Sequence, residues 1–249
     1  MATAIANPVG VFARESVAEL RKNLRLPQFA LPTIITPAVF YGLFAIALNK
    51  GGPQMAAYSL ATFGVFAATG PALFGFGAGV AVERESGLIE LKRVSPMPTL
   101  AYFLAKIMMS LAFALAVIVL LSIAAIGVGG VRLPVGSWLL LVGALLLGTL
   151  PFCAFGLWIG TLVKGQAAVA VVNLIYLPMS IFSGLWIPLF AFPAVLQKTA
   201  VLWPAWHLGQ LALGIVGQVP DVRYGMHVAA LLAMTTLFLS LAALRLRNV

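Results

Sequence analysis

Charge-free runs set the pattern of this chain, and its few charged residues fall between them. Phe29–Leu48, Met55–Val82, a stretch within Ile107–Val131, another within Leu133–Val163, and Tyr224–Leu244 are each long enough to cross a bilayer, which takes roughly 20 apolar residues in a helix. Pro32 and Pro37 predict a kink in the first. Gly165–Gln197 is also uncharged and is broken by Pro178, Pro188 and Pro193. Its pattern predicts one span, about Ala167–Trp186, followed by short helices that dip into the outer leaflet. Thr199–Pro220 leaves a seventh span conceivable, although Pro204, His207, Gln210 and Gln218 speak against it. The expected architecture is an all-α membrane protein with six transmembrane helices in one domain, residues 1–249. Trp186, Trp203 and Trp206 suit its interfaces.

Ahead of the first span, Asn7-Pro8 reads as a helix start, and Val9, Phe12, Val17, Leu20 and Leu24 recur at helical spacing. Arg14, Arg21, Lys22 and Arg25 supply the other face. Residues 8–26 are therefore expected to form an amphipathic interface helix. The first 26 residues hold no apolar core of the kind a cleavable signal needs.

Composition excludes a soluble fold. Of 249 residues 62% are hydrophobic and 8% charged, whereas soluble domains carry about a quarter charged. The net charge of +9 is expected at the lipid headgroups rather than on nucleic acid, because the bases sit at the ends of apolar runs. With six spans, eleven of the fifteen Lys and Arg residues fall on the side of the N-terminus. That side is then cytoplasmic, and both termini lie there, in the cell (inner or plasma) membrane. A seven-span count fits the charges almost as well, so charge does not decide the number.

Catalytic chemistry is not legible. There is no phosphate-binding Gly-rich loop ending in Lys-Ser/Thr. His207 and His227 stand 20 residues apart with no acid near either, which points to span ends facing headgroups and gives no metal site. Cys153 is alone and reads as a packing residue. None of the six acids falls in an expected span, which argues against an ion-coupled carrier, the alternative reading. Gly75/Gly79 and Gly156/Gly160 have the four-residue spacing of close helix contacts. Thr33, Thr36, Thr62, Thr69, Asn173, Tyr176, Ser180 and Ser183 are the notable polar residues within spans. They can bridge helices or line a passage for an amphipathic substrate, and Phe66 belongs with the second group.

One charged island remains. Glu83, Arg84, Glu85, Ser86, Gly87, Glu90, Leu91, Lys92, Arg93 and Pro96 fall in a 14-residue segment, 83–96, between the second and third spans. Burying six charges in lipid is costly, so the segment is expected in water against the membrane, where mixed charge suits a docking surface.

The run Glu83-Arg84-Glu85-Ser86-Gly87-Leu88-Ile89-Glu90-Leu91, followed by Pro96 and by Lys106, resembles the corresponding segment of type-2 ABC exporter permeases. Phe182-Ser183-Gly184-Leu185-Trp186-Ile187-Pro188 and Pro204-Ala205-Trp206-His207 resemble that family's fifth span and the step before its last. The resemblance covers nearly the whole chain. It implies a permease that pairs with a second copy or a homologue and with two separate ATPase subunits. Those subunits, and not this chain, would bind ATP and Mg. Segment 83–96 would be the coupling helix, with Lys164 in a smaller second contact. Substrate would pass along the first, second and fifth spans. The apolar spans favour a drug, an antibiotic or a lipid as cargo.

Overall fold

The structure, a computed structural model, describes residues 8–48, 52–94, 98–165 and 167–247. Among them every regular element is helical. Helix α1 (Pro8–Leu24) precedes α2 (Pro27–Tyr41), which continues through wide turns at Gly42–Ala47. Together they give an apolar stretch of 21 residues. Next come α3 (Gly52–Leu73), a wide turn at Phe74–Ala78 and α4 (Gly79–Glu85), forming one continuous rod of 34 residues. At 1.5 Å per residue the rod is about 51 Å long, well beyond the roughly 30 Å hydrocarbon core, so its charged end projects past the lipid. Gly87, at φ +71°, then turns the chain into α5 (Leu88–Val94).

Helix α6 (Thr99–Gly127) returns across the bundle. The next crossing is split into α7 (Val135–Leu147) and α8 (Leu150–Leu162), with Pro151 in the first turn of α8. Then follow α9 (Ala167–Phe182), the short α10 (Ala194–Thr199), α11 (Pro204–Ile215) and α12 (Tyr224–Arg247).

Five of these stretches are long and apolar enough to cross a membrane: Pro27–Ala47, Gly52–Glu85, Leu100–Gly127, Val135–Leu162 and Tyr224–Leu246. The expected sixth, over Ala167–Trp186, is a helix of only 16 residues, about 24 Å long. Pro178 lies inside it, and Gly184 at φ +79° bends the chain away before Trp186. A seventh span is not formed, since α11 has 12 residues.

Helix α3 is the hub, with α2, α6, α8 and α11 all packed on it. It is buried all round from Ala56 to Leu73 apart from Tyr58, as expected of a helix without a polar face. Its small residues let neighbours approach closely. The closest approach is at the wide turn after Pro71. A Cβ at Gly160 of α8 would lie 2.8 Å from the Phe76 carbonyl oxygen and 2.9 Å from that of Gly77, and one at Gly156 would lie 3.0 Å from that of Ala72. Gly75 and Gly79 instead face α6, against Met109 and Lys106. The two glycine pairs thus serve two different contacts.

One expectation changes. The island is not one helix over 83–96, because the left-handed turn at Gly87 separates α4 from α5. Helix α1 meets the bundle mainly through polar residues. Its buried positions are Glu19 and Asn23, with Phe12, Glu15, Ser16 and Leu20 half-buried, while Arg14, Val17, Arg21 and Leu24 are exposed. The charges explain this, since partners for the two acids lie on the bundle.

Because backbone oxygens cannot yield to a side chain, Gly160→Leu is expected to lower stability by about 1–3 kcal/mol or more. Gly136→Ala, where a Cβ meets nothing within 4 Å, should leave it unchanged. Thermal unfolding of both variants in detergent measures the difference.

Candidate functional site

The island is anchored by a buried ionic node. Lys106 of α6 is 1% exposed and lies 2.8 Å from Glu19 of α1 and 3.2 Å from the Glu83 carboxylate of α4. Lys22 donates to both acids, to Glu19 at 2.8 Å and to Glu83 more closely still. The Tyr102 hydroxyl donates to Glu83, and its ring lies 5.2 Å from the Lys106 ammonium. Gly79 leaves room for that ammonium, which would sit 3.4 Å from a Cβ there. Two acids and two lysines balance, which is the condition under which buried charge is tolerated. Glu83 is therefore part of the fixed framework and is not an exposed docking residue: it is 6% exposed.

The rest of the island divides by role. Arg84 donates from Nη1 to the Thr161 carbonyl and from Nη2 to that of Val163, both at 2.9 Å, and so satisfies the end of α8. The Glu85 carboxylate lies against Gly165, where any Cβ would overlap it. These two residues bring the loop that carries exposed Lys164 beside the island. Ser86 bonds back to the Glu83 carbonyl at 3.1 Å.

Beyond Gly87, α5 is held by Lys92, which pairs with Glu15 of α1. Its outward residues are Glu90, Leu91 and Val94, and the last two are 64% and 85% exposed. The Arg93 side chain and Pro96 lie outside the described residues.

On another part of the bundle lie two clefts, one among α2, α3 and α9 and one among the wide turns after α2, α3 and the turn after α9. The first, ≈ 290 Å³, is lined by Thr33, Thr36, Phe66, Asn173 and Tyr176 among others. The second, ≈ 440 Å³, includes Thr62, and Trp186 borders both. Tyr176 stacks on Phe66 at 4.8 Å between centroids and donates its hydroxyl to the Phe66 carbonyl at 2.9 Å. Phe40 meets Trp186 edge-on at 4.6 Å. No lining residue of either cleft is charged.

Thr69 and Ser180 line neither cleft. Both are buried and bond to carbonyls of their own helices, Phe66 and Tyr176 respectively. Ser183 is buried too, and its hydroxyl, like the Trp186 Nε1, has no hydrogen-bond partner among the described residues.

The histidines do not face headgroups. Each is 4% exposed, and their Nδ1 atoms meet at 3.0 Å. His207 Nε2 donates to the Val201 carbonyl at 2.9 Å, so its Nδ1 accepts from His227. The pair ties α11 to α12. Among the described residues no three His, Cys, Asp or Glu side chains gather as a metal site.

Sequence reasoning missed Glu15 and Glu19 as partners of the island, and Phe40 and Trp186 as the aromatic wall. The first had a signal, since two acids four apart stand on an otherwise basic helix.

Glu19 supplies a pH test. Burial alone would raise its pKa, but Lys106 and then Lys22 outweigh it, and the value falls from 4.5 to about 2. A depressed carboxyl pKa adds stability that is present above the unfolded value and lost as pH falls through the folded one. The contact of α1 with the bundle should therefore weaken between about pH 4.5 and 2. Glu19→Gln leaves Lys106 and Lys22 short of an acid. It should cost about 3–5 kcal/mol at neutral pH and flatten that part of the profile. Unfolding followed against pH in detergent checks both.

A family model described as "ABC-2 family transporter protein" matches residues 20–244. The chain is 28% identical over 239 residues to a Bacillus subtilis (strain 168) protein named "Putative transport permease YvfS", covering 94% of this chain and 96% of that one. It belongs to the ABC-2 family of transporter proteins, as a transport permease with several membrane-crossing helices.

Proposed function

We propose that this chain is the membrane subunit of an ATP-driven exporter whose separate ATPase subunits grip it at α5. The observation that carries this reading is α5 itself. Seven residues long, it holds Leu91 and Val94 out at 64% and 85% exposure, although Lys92 on the same helix is tied down. Large apolar residues on a fixed, charged, water-facing element suit a protein partner. The proposed contact is Glu90, Leu91 and Val94, with Ser86, Arg93 and Pro96 beside them and Lys164 at its edge. Two ATPases, carrying ATP and Mg, serve two permease copies. Both termini and α5 are cytoplasmic, and α9 with the turn to Trp186 makes the sixth crossing. Helices α10 and α11 dip into the outer leaflet.

Substrate runs along the clefts of α2, α3 and α9. Their partly aromatic, uncharged lining favours a hydrophobic or amphipathic molecule, such as a drug, an antibiotic or a lipid, and among the described residues it offers an ion gradient no charged side chain to act on.

Co-purification with the ATPase subunit tests the reading. Leu91→Asp with Val94→Asp should abolish association while thermal stability stays within about 0.5 kcal/mol, as for exposed positions. Undiminished association, or ATP-independent flux through vesicles holding this chain alone, would refute it.

A further inference from the structure

The bundle has a third concavity, away from the island and the aromatic clefts, between α7 and α12. It is ≈ 580 Å³ and lies open along its length. Its cause is α11, which packs against both helices and holds them apart. Lower down, α12 closes onto α8, where Phe238 stacks on Phe155 at 4.5 Å and on Trp158 at 5.6 Å. The result is a groove that is wide at the start of α12 and shut at a ring stack.

Its dimensions follow from helix geometry. The α12 wall carries Tyr224, Val228, Leu231, Leu232 and Thr235, which span about 16 Å at 1.5 Å per residue. One leaflet of hydrocarbon is half of roughly 30 Å. The groove therefore runs the depth of a single leaflet.

Nothing in it asks for a polar ligand. Thr235 already donates to the Leu231 carbonyl at 2.6 Å. In the opposite wall Gly143, Ala144 and Gly148 leave a gap between leucines, Leu139 and Leu140 on one side and Leu147 and Leu150 on the other, and a Cβ at Gly143 would meet nothing within 4 Å. At the mouth the chemistry changes. Exposed Arg223 immediately precedes the α12 wall, and exposed Arg132 precedes α7, seven residues before that wall's first lining residue, Leu139. Neither makes an ion pair among the described residues, although Asp221 is exposed nearby in the chain.

We infer that this groove binds one phospholipid of the leaflet at the start of α12, with an acyl chain between α7 and α12 and its phosphate at Arg132 and Arg223. A largely aliphatic slot one leaflet deep, with Arg223 next to its first α12 residue, Tyr224, and Arg132 on the segment that leads into α7, suits that molecule from end to end. The lipid would fill the space that α11 opens and hold α12 against the rest of the bundle. This site is separate from the proposed substrate clefts, whose lining is partly aromatic and holds an unpartnered indole nitrogen.

Native mass spectrometry of the full chain in detergent tests it, with added dioleoyl phosphatidylglycerol compared against dioleoylglycerol. The unmodified chain should retain one phosphatidylglycerol per copy and several-fold less dioleoylglycerol. Gly143→Phe fills the slot from α7 and should cut retention at least tenfold; Val228→Trp should do the same from α12, which guards against misfolding of either variant. Arg132→Gln with Arg223→Gln should lower phosphatidylglycerol retention several-fold and leave dioleoylglycerol unchanged. Full retention in both slot-filling variants overturns the inference, as does equal retention of the two lipids. A shift from paired to single chains in Gly143→Phe also overturns it, since a second copy would then be the occupant.

Discussion

A lysine with almost no access to solvent fixes the geometry of one end of this protein. Glu19 and Glu83 reach Lys106 from two other helices, while Lys22 balances the second acid. Removing one partner from such a group costs far more than an exposed ion pair contributes. Helices α1, α4 and α6 are thereby bound as a set. The α1 helix in turn fixes α5 through Glu15 and Lys92. The orientation of the exposed α5 residues is thus set from beneath by buried charge. This also explains why α1 turns its acids inward and leaves Val17 and Leu24 outside.

One rod connects this node to the aromatic clefts. Phe66 and Glu83 lie on the same continuous helical stretch, 17 residues or about 25 Å apart. Between them stands the wide turn at Phe74–Ala78, where α8 presses its glycines onto backbone. A wide turn is a recognised site of adjustment in a helix. Here it is clamped on one side and open to small-residue contacts on the other. On the proposed reading, force applied at α5 reaches the clefts through this rod, and the turn is where the rod can change shape.

The runs of apolar residues made most of the fold legible. The five long helices appear where uncharged stretches exceed bilayer length, and the charged gap after Val82 correctly separated two of them. The fifth expected span came out short because its length was judged from missing charge, while Pro178 and Gly184 ended the helix locally. The island was found by its charge, but its division was not: Glu83, Glu85 and Glu90 look alike in sequence, and only the fold buries the first, seats the second on Gly165 and exposes the third. His207 and His227 show the same limit. Twenty residues apart, they meet because α11 folds back onto α12, a long-range contact to which no local pattern points. The polar pathway residues divided likewise. Thr33, Thr36 and Asn173 border a cleft and Thr69 and Ser180 do not, although Thr33, Asn173, Thr69 and Ser180 all bond carbonyls of their own helices, as such residues in membrane helices readily do.

The two lipid-level faces of the bundle differ in a way that bears on what each can do. Around α2 and α9 the lining includes six aromatic rings, and the Trp186 nitrogen there is buried without a hydrogen-bond partner among the described residues. Unsatisfied groups of this kind cost stability, so a bound molecule that supplied an acceptor would be favoured there over a plain hydrocarbon chain. Between α7 and α12 the walls are largely aliphatic and the side-chain hydroxyl of Thr235 is satisfied by its own helix. That face rewards a hydrocarbon chain and offers little to select among polar cargoes. A site that must admit and release varied molecules gains from loosely committed polar groups, while a site that holds one structural lipid gains from their absence. On the proposed reading, the chemistry of the walls, more than the size of the cavities, suits the first face to passage and the second to anchorage.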